Sequence, residues 1–86
     1  MSIPKKERFK QLNANKYIDD IECFSYKERA FSNLGKSPKT DLKDELNLPN
    51  TEQYVMSDEK GYLYEVVVQN KEEKLLIVGI KTIPEK

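Results

Sequence analysis

The sequence predicts an α+β fold, with two to three N-terminal helices followed by a three-stranded antiparallel β-meander. Three observations carry that expectation. In residues 1–50 the apolar side chains recur at three- and four-residue steps between Ser, Pro and Gly punctuation, the pattern of short amphipathic helices. In residues 51–86 three runs rich in β-branched and aromatic residues are separated by short polar turns. The chain has 86 residues, 37% hydrophobic and 35% charged, which suits one domain (residues 1–86) with a small core: a helical half at 1–50 and a meander half at 51–86.

The elements follow in order. Pro4 fits the first turn of a helix, where its missing N–H costs nothing, and "KKERFKQLN" continues with good helix formers. Ile18, Ile21 and Phe24 recur at three-residue steps, so residues 17–24 read either as a helix or as a short strand. Ser25 and Glu28 have the spacing of a capping box, and Tyr26, Ala30, Phe31 and Leu34 then fall on one helical stripe that Gly35 ends. Ser37 and Pro38 restart a helix in which Leu42 and Leu46 share a face and Asp41 suits the helix dipole. Phe31, Leu34, Leu42 and Leu46 are expected to point into the core.

The second half switches to strands over "TEQYVMSD", "YLYEVVVQN" and "KLLIVGIKTI". Gly61 in "DEKG" supplies the positive φ a hairpin loop needs, and "NKEE" makes the second turn. The unbroken apolar runs Val66–Val68 and Leu75–Val78 imply burial on both faces, and Gly79 within the last run implies a bulge.

Composition removes several chemistries. The chain has no histidine and one cysteine, Cys23. Ser-His and Cys-His nucleophiles, His-ligated metals, cysteine zinc sites and an intrachain disulfide are thereby excluded. Cys23, beside Phe24, is expected to be a small buried apolar residue. The composition still allows a carboxylate-only Mg²⁺ or Ca²⁺ site, but no acidic run has calcium-loop spacing, and the expectation is of no metal and no cofactor. No apolar stretch is long enough to cross a membrane as a helix, and the N-terminus lacks a signal-peptide core, so a cytoplasmic protein is expected. Richness in Lys, Asn, Ile and Glu fits an AT-rich bacterial or phage genome.

The formal net charge is zero but unevenly placed. Lys5, Lys6, Arg8, Lys10 and Lys16 stand against Glu7 in residues 1–16, while residues 51–73 carry Glu52, Asp58, Glu59, Glu65, Glu72 and Glu73 against Lys60 and Lys71. A basic head and an acidic second half can attract each other or separate partners.

Three functions follow from these residues. The first is a small non-catalytic binding protein (an inhibitor, adaptor or accessory protein) acting through protein–protein contact. Its binding candidates are Lys5, Lys6, Arg8, Lys10, Tyr62 and Tyr64, and its partner is another protein or a second copy joined through an apolar edge strand such as "LLIVGI". The second starts from the spaced apolar segments "KERAFSNLG", "DLKDEL", "GYLYEVVV" and "IVGIKTI". This order resembles small bacterial toxin domains, the RelE-type ribonucleases and the uncharacterised C-terminal domains of polymorphic toxins. That resemblance implies RNA cleavage on the sheet, with Lys60, Tyr62, Tyr64, Lys74, Lys81 and Thr82 as candidates, since Lys and Tyr can move protons and cations can stabilise the transition state. The third is a winged-helix DNA binder, the outline of two helices and a hairpin. Against it, the second helix balances Lys39 and Lys43 with Asp41, Asp44 and Glu45, and phosphate contact needs net positive charge.

Overall fold

A computed structural model describes residues 10–83. It contains six strands and one helix: β1 Lys10–Ile18, β2 Cys23–Tyr26, β3 Arg29–Lys36, α1 Asp41–Leu46, β4 Thr51–Ser57, β5 Leu63–Lys71 and β6 Lys74–Thr82. Every strand pairing is antiparallel, in the order β1-β6-β5-β4-β3-β2, and the sheet curls into a nearly closed barrel. The expected helical half is thus overturned: the protein is mostly β, and the three-stranded meander is the centre of a six-stranded sheet.

The stretch read as a capped helix over residues 25–34 is a β-hairpin. Lys27 and Glu28 both have positive φ, 51° and 65°, and they join Tyr26 to Arg29 in a two-residue turn. The primed turns that suit strand twist need that geometry and usually take Asn or Gly, so nothing local announced it. What stabilises the hairpin is burial. Phe31 is 1% exposed, stacks on Phe24 at 5.1 Å, and meets the edge of the Tyr64 ring at 5.0 Å. Gly35, expected as a helix stop, has a φ of 123° beside a bulge at Leu34. Leu34 lies three residues on from the inward Phe31, so strand alternation sends it outward, 60% exposed, rather than into the core. Residues 17–24 divide between the end of β1, a turn and β2, and Cys23 is exposed on an edge strand, not buried. Of the expected first helix, residues 4–9 lie outside the described residues and the rest enters β1.

The second expected helix is present but shorter. It begins at Asp41 with Thr40 before it, and Ser37 instead accepts the Lys39 N–H. Asn47 closes it in the left-handed region, which Asn tolerates better than most residues.

The two faces of the sheet alternate as strand geometry requires. Inward, Ala14, Ile18, Phe31, Met56, Tyr64, Val66, Val68, Ile77 and Ile80 form one core drawn from five strands, and Phe24 and Tyr26 of β2 pack at its margin. Outward, Val67, Leu76 and Val78 form a smaller strip covered by Leu42 and Leu46 of α1. The register shift in β6 places Val78 and Gly79 together beneath the helix. A Cβ on Gly79 would come within 2.7 Å of Leu46 Cδ1, so the missing side chain admits the helix.

Candidate functional site

The ribonuclease-type candidates divide among three places. Lys60 and Tyr62 lie exposed in the β4–β5 loop, and Thr82 is the register partner of the buried Tyr64 at the same end. Lys81 sits on the outer face, its Nζ 2.8 Å from Asp41 Oδ2. Lys74 is at the opposite end of β6, its Nζ 5.8 Å from the centre of the Tyr17 ring. Four candidates therefore share one end, and two are engaged elsewhere. Of the basic head, Lys5, Lys6 and Arg8 lie outside the described residues, and Lys10 opens β1 opposite Lys81.

At the shared end the chemistry is structural. Asp58 Oδ1 accepts the N–H groups of Lys60 and Tyr62, and its Oδ2 accepts the Tyr64 hydroxyl at 2.7 Å. Burial pushes the Asp58 carboxyl up, but these hydrogen bonds, with the charge of Arg29, outweigh it and hold it below its ordinary value. Burial, followed by the Asp58 charge and hydrogen bond, pushes the Tyr64 phenol up to about 12. A phenol so stabilised in its protonated form is a poor general base near neutral pH. Glu59 fastens the neighbouring hairpin by accepting the Ala30 N–H at 2.9 Å.

On the outer face a second polar group ties α1 down. Gln53 is 3% exposed; its Nε2 donates to Glu65 Oε1 at 2.8 Å and to Asp41 Oδ1 at 3.2 Å, while its Oε1 accepts the Lys43 N–H. The Lys81 hydrogen bond, then that from Gln53, holds the Asp41 carboxyl well below the usual carboxylate range. All of these buried polar atoms have partners, and no group of three or more His, Cys, Asp or Glu among the described residues could hold a metal ion.

What remains is the seam. β6, which holds "LLIVGI", lies between β1 and β5 and is not an edge; among the described residues the edges are β1 and β2. Which backbone groups they present follows from antiparallel alternation. Asn33 donates its N–H to Glu22 O, and the turn closes at Tyr26 and Arg29, so Phe24 and Tyr26 share the hydrogen-bonded phase with β3. The Ala30 N–H, opposite Ser25, goes to Glu59 instead, as that phase requires. The N–H and C=O groups of Cys23 and Ser25 therefore point away from β3. On the other margin, the turn at Glu72 and Glu73, with φ of 53° and 66°, closes at Lys71 and Lys74. By the same alternation Leu75 and Ile77 bond β1, which turns the Tyr17 backbone outward. Among the described residues, Tyr17, Cys23 and Ser25 thus line the seam with main chain that no further strand pairs.

No protein-family model, curated protein or solved structure matches this chain.

Sequence reasoning missed the seam because it read residues 25–34 with a helical period. A period of two was also present: Phe24 and Tyr26 alternate with Cys23 and Ser25, and Phe31 stands between Ala30 and Ser32. That signal is short, four residues in β2, and the Ser25–Glu28 spacing masked it.

Proposed function

We propose that this chain is a small non-catalytic binding protein that acts through protein–protein contact, in an inhibitory, adaptor or accessory role. The observation that supports the reading is the open seam. Among the described residues most strands are paired on both sides, and the two that are not, β1 and β2, are the margins of the nearly closed barrel, the β2 margin carrying the half-buried aromatics Phe24 and Tyr26. An unpaired edge next to an incompletely covered core favours a partner that supplies both backbone hydrogen bonds and apolar cover. The toxin-type candidates add little to this, since Tyr64 and Lys81 are engaged by Asp58 and Asp41.

The test is capture by the intact chain and by Ser25→Pro. Proline at an outward-pointing edge position removes only an N–H that β3 does not use. A protein partner retained in stoichiometric amount by the wild type and lost by the variant is the expected result. Recovery of RNA or DNA alone, with no such protein, overturns the proposal.

A further inference from the structure

Resting on that reading, we infer that the seam takes an extended peptide segment that adds as a strand along β2. This segment carries an apolar side chain toward Phe24 and Tyr26, and a Lys or Arg at its end beside Cys23.

Each part of that description comes from the seam. The unpaired groups are main-chain donors and acceptors on alternate residues, Cys23 and Ser25 on one margin and Tyr17 on the other. The partner that satisfies such a row is another extended backbone, because only a strand repeats donor and acceptor at that spacing. The side chains sort by face. Phe24 and Tyr26 are half-buried and already pack on the core, so the inward residue of an added strand finds an apolar bed. Cys23 and Ser25 are small, exposed and outward, so an outward residue meets little obstruction.

Charge sets the polarity. The turn that closes the seam presents Asp19, Asp20 and Glu22, all exposed, immediately before Cys23. Asp20 Oδ1 accepts the Glu22 N–H, which fixes the turn without neutralising either acid. The cations near this end, Lys16 and Lys74, belong to the β1 side, and Lys74 lies over the Tyr17 ring. The β2 margin is therefore anionic at the Cys23 end. At the other end of β2 the turn sets exposed Lys27, whose Nζ lies 5.8 Å from the centre of the Tyr26 ring, beside exposed Glu28, so that turn is balanced while the Asp19–Glu22 turn is not, and the complementary cation belongs beside Cys23.

Selection of short random peptides on the immobilised full chain tests the inference, with fluorescence anisotropy on the selected sequences. The expected consensus alternates apolar and polar residues and places Lys or Arg at one end. Binding should weaken by roughly tenfold or more in Ser25→Pro, and more at high salt for wild type than for Asp19→Asn with Asp20→Asn. Methylating alternate peptide amides should abolish binding in one phase and spare it in the other, a measurement that does not depend on any variant folding. A consensus without alternation, equal binding of both methylated phases, or a preference for acidic peptides overturns the inference. So does sedimentation as a dimer that Ser25→Pro dissociates, since the occupant is then a second copy; that outcome leaves the binding-protein reading intact. Loss of the captured protein in Ser25→Pro with no alternating consensus also defeats this inference alone.

Discussion

The two faces of this sheet solve the same burial problem differently. The inner face is almost wholly apolar and closes on itself: five strands contribute to one core, and aromatic contacts join β2, β3 and β5. The outer face buries only a narrow strip, which needs a separate cover, and α1 is too short to be stable alone. Its attachment is therefore reinforced by polar contacts, Asp41 to Lys81 and Gln53 to both Asp41 and Lys43. A curled sheet holds its inside by geometry; its outside has to be covered and fastened.

Phe31→Ala breaks the inner side of that comparison. It deletes the ring between Phe24 and Tyr64, and the expected loss is about 3–5 kcal/mol, read by urea unfolding. Loss of the β2–β3 hairpin alone, with the rest unchanged, would show the inner core to be less unified than described. Leu42→Ala attacks the outer side, with an expected loss of about 2–4 kcal/mol. Hydrogen exchange should rise in residues 41–46 well before it rises in β5 and β6. Uniform acceleration across both would mean that helix and barrel unfold as one unit.

Tyr64→Phe probes the polar closure of the barrel end, and removal of a bond to a buried carboxylate is expected to cost about 1–3 kcal/mol. The sign of the accompanying pH effect is fixed. The folded protein holds the phenolic proton up to about 12 against an ordinary 10.0, so wild-type stability falls as pH rises through that interval. The variant should lack that alkaline loss in a denaturation series. The outer fastening has the opposite sense. Asp41 is depressed below its ordinary 3.8, so the stability it contributes is present above that value and lost as pH falls below it. Asp41→Asn should flatten this acid limb. The effect should be small, because the carboxylate is half-exposed and the pair is partly screened by solvent.

The smallest change expected is a gain. Lys27→Asn with Glu28→Gly places turn-preferring residues where φ is positive, and should stabilise the hairpin by roughly 0.5–1 kcal/mol in thermal unfolding. No gain would mean that the native turn carries little strain.

The parts of the fold legible in the sequence are those whose local and long-range signals agree. β4, β5 and β6 have β-branched runs bounded by turns, Gly61 has the positive φ its position implied, and Gly79 lies at the register shift. Leu42 and Leu46 share the helical face expected of them. Where the signals diverged, the reading failed: Ser25 and Glu28 imitate a helix cap, and Tyr26, Ala30, Phe31 and Leu34 fit a helical stripe as well as they fit a bulged hairpin. The same misreading hid the candidate site, because a seam between β1 and β2 exists only once both are strands. Tyr64 and Lys81 were visible as polar groups on strands, but their engagement by Asp58 and Asp41 depends on a loop and a helix that fold back from elsewhere.

The sequence by itself therefore determined the central meander, the covering helix and the exclusion of histidine and cysteine-pair chemistry. Periodicity over nine-residue strands and the bare absence of a residue type are both local facts. Only the tertiary structure decided that residues 10–36 complete a barrel. The core exposed by β5 and β6 needs Phe31, Phe24, Ile18 and Ala14 against it, and that burial outweighs the helical preference of a short charged segment. Among the described residues closure stops one pairing short, between β1 and β2, because no local signal in either strand specifies the other as its partner.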